Sequence, residues 1–340
     1  MKRRDFLERT VGAAGVLGLA GIAEAGLARP AAATQFPTPL LDAHAHVNSL
    51  TATDRINRLV GAGSVEALDG DALIQRMDAD GIQRALVLST AYMMAMDAVE
   101  GDFTPAEERA AVQQENDFNA AECAKHPLRL IPFCSVNPKR TWAAEEIDRC
   151  SYLLGARGVK FHFWNSVVDL RSPESLDNLR ALFRHIAERD MPVVVHVFNG
   201  SVADFGADDV ERFVREVIVP NPDLRLSFAH AGGAGGTHPR IIEIFRRLTE
   251  VAPPDSEVGQ RLRIDISAVM FTRRFKAILP TSERALAAMG ELMRAWGPER
   301  VLWGSDMIPD YLSQTEGVWP LSGAEWEVVA GRDETEFFSA

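Results

Sequence analysis

Eight short apolar runs lie between Pro39 and Asp306, each separated from the next by a loop and a helical segment. The runs predicted as strands cover residues 40–47, 84–89, 129–136, 158–163, 192–197, 224–230, 262–267 and 300–306. Most are apolar on both faces, the pattern of a parallel sheet covered by helices rather than of an antiparallel sheet with one wet face. Helices are predicted near 71–79, from the Thr104-Pro105-Ala106-Glu107 cap to about Lys125, and over 141–154. Further helices are predicted from Ser172-Pro173 to about Asp190, and over 208–219, 239–251 and 282–296. The stretch after the first strand is expected to be a polar loop. Eight such units within about 270 residues fit a closed α/β architecture, the (β/α)8 TIM barrel, better than an open doubly wound sheet. No phosphate-binding glycine fingerprint follows the first strand, which counts against a dinucleotide-binding sheet.

The chain of 340 residues is 46% hydrophobic and 25% charged, an ordinary globular composition that sets no second domain apart after the N-terminus. Its net charge of -12, with no basic stripe, argues against nucleic acid as a partner. Cys123, Cys134 and Cys150 are too few for a disulfide framework and lack metal-type spacing, so buried free thiols are expected.

Residues 1–33 do not read as part of the fold. Lys2-Arg3-Arg4-Asp5-Phe6-Leu7 precedes an uncharged Ala- and Gly-rich run from Val11 to Ala23, and Ala31-Ala32-Ala33 offers a cleavage site. This order resembles a twin-arginine translocation signal, which implies the export machinery as a partner and a periplasmic or extracellular protein. The apolar run is too short to span a bilayer comfortably, so no stable membrane insertion is expected after cleavage. The barrel is assigned to residues 34–340.

Histidines and a carboxylate close several of the apolar strands at the same end. In Asp42-Ala43-His44-Ala45-His46, alternation points His44 and His46 the same way, with Asp42 below them on that face. His162 ends the fourth strand, His196 the fifth, His230 the sixth and Asp306 the eighth. In a barrel those ends converge on one mouth, where active sites of this fold lie. Each would carry a desolvation penalty in a buried strand unless they share a purpose. Imidazoles with a carboxylate suit a borderline divalent ion, zinc first, with manganese or iron as alternatives. Such an ion lowers the pKa of water and polarises a substrate carbonyl. Residue type alone does not separate ligand from acid/base.

Asp42-Ala43-His44-Ala45-His46, Gly158-Val159-Lys160-Phe161-His162, His196, Ala229-His230-Ala231-Gly232-Gly233 and Gly304-Ser305-Asp306 together resemble the amidohydrolase superfamily. They are most similar to its amidohydrolase-related branch, which includes aminocarboxymuconate-semialdehyde decarboxylase, resorcylate-type decarboxylases and assorted hydrolases. The resemblance covers about residues 39–310. It implies that His44, His46, His196 and Asp306 ligate the metal, and that His230 is the general acid/base and oxyanion partner. Asp306 is also placed to take a proton from water. For Lys160 it leaves two readings open. A carboxylated Lys160 would bridge two metals, as in binuclear members; otherwise Lys160 and His162 belong to the substrate pocket beside one metal, which is the expectation here.

The leading function is therefore a metal-dependent hydrolase of an amide, ester or lactone bond in a small molecule. The alternatives are a non-oxidative decarboxylase of an aromatic or unsaturated acid, which export disfavours, and a periplasmic metal- or ligand-binding barrel without turnover. Asp265 is expected to be a structural hydrogen-bonding carboxylate. Arg55, Arg58, Arg273 and Arg274 follow the first and seventh strands as candidates for a substrate carboxylate. Tyr92–Met96 and Trp164 are candidates for an apolar wall, and Gly232–Gly236 for a close backbone approach. Substrate, oligomeric state and reaction are not legible. Only 34 residues follow Asp306, with 325–330 the one helical candidate, a departure from the resembled family that implies a short closing helix or an atypical tail.

Overall fold

The computed structural model describes residues 37–60, 65–97, 103–233, 237–267, 283–306, 312 and 320–338. The expected export signal therefore lies outside the described residues, as do Arg273 and Arg274. Eight parallel strands follow one another in sequence order around one sheet. They are β1 (Leu41–Ala45), β2 (Arg84–Leu88), β3 (Leu130–Ser135), β4 (Gly158–His162), β5 (Val193–His196), β6 (Leu226–Phe228), β7 (Leu262–Asp265) and β8 (Val301–Leu302). The expected α/β barrel is the observed fold. Closure is made by backbone bonds between the last strand and the first: Ala43 N–H donates to the Trp303 carbonyl at 2.9 Å and Asp306 N–H to that of His44 at 2.6 Å.

Between the strands lie α1 (Leu50–Val60), α2 (Gly70–Asp80), α3 (Pro105–Ala124), α4 (Ala143–Leu154) and α5 (Pro173–Ala187). There follow α6 (Ala207–Phe213), α7 (Pro239–Val251), the single turn α8 (Glu257–Gln260), α9 (Glu283–Trp296) and α10 (Gly323–Ala330). The start of α3 is fixed as the sequence suggested, with the Thr104 side chain and Glu107 capping each other's backbone N–H around Pro105. Two segments differ from expectation. The supposed polar loop after β1 contains α1, whose Ala52, Arg55 and Ile56 turn inward; threonines and a buried arginine hide that apolar stripe. The helix predicted over 208–219 changes to a π-helical turn at Val214–Ile218.

The apolar residues form two layers. Alternation along β2 sends Ala85 and Val87 to the layer under the helices, and Leu86 and Leu88 to the barrel interior with Leu41, Ala43, Phe133, Val194 and Leu302. The C-terminal tail completes that interior. Phe338 packs edge-on to Phe133 with ring centroids 6.1 Å apart, and Phe337 packs against the same cluster. Arginines at the strand starts hold the tail there. Arg225 donates to the Phe337 carbonyl at 2.7 Å, and Arg263 pairs with Glu334 at 3.0 Å and lies 4.0 Å over the Phe337 ring. The short tail thus plugs the end of the barrel opposite the mouth. No helix among the described residues is long and apolar enough to cross a membrane.

Candidate metal centre

β1 brings two imidazoles to the mouth through an irregularity. Its register against β2 shifts between Asp42 and Ala45, and such a bulge re-aims the side chains beyond it. Leu41 and Ala43 lie in the interior layer and Ala45 in the outer one. His44 and His46 then stand with ring centroids 5.2 Å apart. Strict alternation would stack Asp42 below them. Instead its carboxylate accepts from the His44 N–H and the Ser305 N–H, both at 3.0 Å, and from the Ser305 hydroxyl. Asp42 therefore ties β1 to the segment that carries Asp306. Gly304 is required in that segment, because a Cβ there would meet the His44 Cβ at 2.6 Å.

The ligating atoms of His44, His46 and Asp306 all lie within 4.8 Å of one another. Asp306 Oδ1 is 3.5 Å from His46 Nε2 and 3.9 Å from His44 Nε2. His44, His230 and Asp265 form a second group within the same limit. His196 joins neither group. Its ring stacks on His162 at 3.9 Å and meets His230 edge-on at 5.1 Å, and its Nε2 is buried with no hydrogen-bond partner among the described residues. His230 and Asp306 hold left-handed backbone, with φ of 54° and 57°. Such strain in a non-glycine residue costs on the order of 1–3 kcal/mol and persists where the surroundings over-determine it.

Tautomers follow from the partners. His46 Nδ1 lies 2.6 Å from the Leu88 carbonyl, which only accepts, so Nδ1 carries the proton and Nε2 the lone pair. His44 Nδ1 faces Asp265 Oδ2 at 2.9 Å, and Lys160 Nζ, which only donates, lies 3.2 Å from His44 Nε2. His230 Nδ1 lies 2.7 Å from the Ser267 carbonyl. His162 is reversed: its Nδ1 accepts the Asn165 N–H at 3.2 Å, which puts the proton on Nε2. Two imidazoles that carry a lone pair on Nε2, a carboxylate and the orphaned His196 nitrogen make a donor set that fits a borderline divalent cation.

Burial and neighbouring charge set the protonation states. Burial pushes the His44 imidazolium down to about 3, with Lys160 adding to the effect and Asp265 opposing it. Burial likewise lowers Lys160 to about 8 against the pull of Asp265 and Asp306. Burial depresses His162 and His196 well below the ordinary histidine value. Burial raises Asp42 to about 6, although its Ser305 bonds pull the other way. Burial alone would raise Asp306, but the neighbouring His46, His44 and His230 hold it well below the usual carboxylate range. Burial thus keeps His44, His162 and His196 uncharged beside the ionised Asp306 carboxylate.

Of the remaining sequence candidates, Tyr92 stacks on His162 at 4.9 Å, so Tyr92, His162 and His196 form one aromatic column. Trp164 is buried beside His196 at 6.5 Å and joins the main core. Arg55 is buried and donates to the Met93 carbonyl, and Arg58 pairs on the surface of α1 with Asp54 at 3.2 Å. Asp265 is the hydrogen-bonding carboxylate that the sequence suggested, aimed at two of the histidines. The sequence reading gave no role to Ser267 and left Ser305 without its bonding task. Their signal was position alone, Ser267 two residues after a buried aspartate and Ser305 beside Asp306.

Residues 41–338 match a family model described as amidohydrolase. No curated protein sequence matches. The fold is similar to that of 5-carboxyvanillate decarboxylase from Novosphingobium aromaticivorans, in a crystal structure with manganese and 4-hydroxy-3-methoxy-5-nitrobenzoic acid. That likeness has a TM-score of 0.59 at 17% identity, covering 88% of this chain and 96% of the other. A 2,6-dihydroxybenzoate decarboxylase in complex with 2,6-dihydroxybenzoate gives a TM-score of 0.63 at 14% identity, covering 89% and 99%. A probable 2-pyrone-4,6-dicarboxylic acid hydrolase from Acinetobacter baumannii, with citric acid bound, gives 0.53 at 14% identity, covering 88% and 98%.

Proposed function

The chain belongs to the amidohydrolase family, and from that premise we propose a metal-dependent enzyme that acts on a small carboxylic acid. His44, His46, His196 and Asp306 are assigned as ligands of one divalent ion, and His230 as the acid/base. The observation that carries this reading is the convergence of His44, His46 and Asp306 within 4.8 Å, with the Nδ1 atoms of both imidazoles bonded away from the site. Zinc, manganese and iron all suit the donor set. When bound, the ion supplies Lewis-acid polarisation of a substrate oxygen.

The chain's own residues do the rest. Lys160 and the His162 Nε2–H are assigned to hold a substrate carboxylate or carbonyl. The column of Tyr92, His162 and His196 gives a planar substrate a flat wall, and the burial of Tyr92 and His196 limits access of bulk water to it. Hydrolysis is the leading expectation from the sequence. The similar folds that hold aromatic acids support non-oxidative decarboxylation of a planar unsaturated or aromatic acid, which is the leading reaction proposed here. In that reaction the carboxylate leaves as CO2, the bonding electron pair stays on the substrate carbon, and His230 Nε2 delivers to that carbon a proton it has taken up from water. Hydrolysis of a lactone or related bond is the second reading, favoured by the similarity to a pyrone dicarboxylate hydrolase. His230 would then move the proton between water and the leaving group. The Arg3-Arg4 segment supports export to the periplasm or beyond.

Incubating the purified protein with aromatic acids, lactones and amides, while following CO2 and acid release separately, tests the reaction. CO2 release supports decarboxylation, and acid release without CO2 supports hydrolysis. Turnover that survives complete removal of metal by chelator overturns the metal-dependent reading.

A further inference from the structure

Two buried side chains at the end of β7 face both His44 and His230. Asp265 Oδ2 lies 2.9 Å from His44 Nδ1. Asp265 Oδ1 accepts the backbone N–H of His230 and of Ser267, both at 3.1 Å, and the Ser267 hydroxyl. The Ser267 Oγ lies 3.0 Å from His44 Nδ1 and 2.9 Å from His230 Nδ1.

The protons can be counted. An ionised carboxylate only accepts, and a hydroxyl has one proton and two lone pairs. The Ser267 proton goes to Asp265, so toward both imidazoles the hydroxyl only accepts. Each ring must then donate from Nδ1. The Lys160 contact at His44 Nε2 and the Ser267 carbonyl at His230 Nδ1 require the same assignment. The Asp265 bond to the His230 N–H also falls where the backbone takes its left-handed φ.

We infer that Asp265 and Ser267 act as one positioning unit for two rings of different role, fixing the Nδ1–H tautomer and the orientation of the ligand His44 and of the acid/base His230 together. The inference rests on the assignment of those two roles above. Neither Asp265 nor Ser267 is assigned a contact with substrate. A general consequence of such support is metal affinity, which outer partners of ligating histidines typically change by about 10- to 100-fold.

The test is long-range proton–nitrogen NMR of histidine-labelled, metal-free protein, with metal affinity measured in parallel. Wild type should show Nδ1-protonated, Nε2-bare signals for His44, His46 and His230. Asp265→Asn should move the His44 and His230 signals together and weaken metal binding by about 10- to 100-fold. His46, bonded to the Leu88 carbonyl, should keep its signals and serves as the internal control. Ser267→Ala removes one hydroxyl and should move the same two rings; it carries the test if Asp265→Asn does not fold. Unchanged His44 and His230 signals in folded Ser267→Ala and Asp265→Asn, or movement of His44 alone, would overturn the inference. The tautomers are read without metal. Wild type with the stated tautomers but no metal affinity would therefore uphold the positioning unit and sink the ligand assignment.

Discussion

The backbone N–H of Asp306 donates to the His44 carbonyl at 2.6 Å, and the two side chains face each other across 3.9 Å at the barrel mouth. The bond that closes the barrel and the pair that builds the centre belong to the same two residues. The site and the closing edge of the sheet are therefore tied to each other, with Asp42 and Ser305 bonded across the same junction.

Ser305→Ala should loosen that junction without removing a ligand. It leaves the buried Asp42 carboxylate short of a donor, which costs about 1–3 kcal/mol of stability. Metal affinity should fall by roughly 10-fold, the lower end of the range for outer partners. Urea denaturation and metal titration check both effects. Full affinity alongside full stability would mean that the junction does not set the site.

Phe338→Ala should destabilise the fold by about 3–5 kcal/mol, the usual range for emptying a phenylalanine site in a core. The plug lies at the far end of the barrel, so metal content should not change. Denaturant unfolding with elemental analysis separates the two readouts. A loss below about 1 kcal/mol would show that the tail does not fill the interior.

Glu146 supplies a prediction about pH. It is fully buried on α4 and accepts from Asn116 at 2.9 Å and from Arg149 at 2.8 Å. Burial alone would raise its carboxyl, but those bonds outweigh it and hold it below the ordinary 4.5. A carboxylate whose folded value is depressed contributes stability above its unfolded value and loses it as pH falls through the folded one. Glu146→Gln should therefore cost about 1–3 kcal/mol at neutral pH, and the difference from wild type should shrink once the pH drops below about 4. Urea midpoints across that range check the sign. A gap that widens in acid would contradict it.

The fold was legible because eight apolar runs with helical segments between them leave few alternatives, and the mouth was legible because His44, His46, His196, His230 and Asp306 all break such runs at the same end. What was hidden depended on local deviation from regular geometry. The bulge that separates Asp42 from the two histidines leaves no mark in the residue pattern. Nor does the left-handed turn at His230. Ser267 and Ser305 are among the commonest residue types, and only their hydrogen bonds single them out. The plug at Phe337-Phe338 joins residues far apart in sequence, and no periodicity announces such a contact.

Replacing Arg3 and Arg4 with Lys should hold the protein in the cytoplasm if the N-terminal segment is read by the twin-arginine machinery. Cell fractionation with N-terminal sequencing checks this. The exported form should begin between Ala25 and Gln35. Undiminished export of the double variant would point to another route.

The proposed centre binds one divalent ion through His44, His46, His196 and Asp306, with His230 working beside it. Elemental analysis of extensively dialysed wild type, His46→Ala, His196→Ala and His230→Ala, each with its turnover, tests this most directly. Wild type should carry about one transition-metal ion per chain. His46→Ala and His196→Ala should lose it, and His230→Ala should keep it while losing on the order of 100- to 10,000-fold in rate. Two ions in wild type, one of them lost in Lys160→Ala, would replace the single-ion centre with a bridged pair. Active wild type without metal, or a His46→Ala protein with undiminished metal content, would contradict the account.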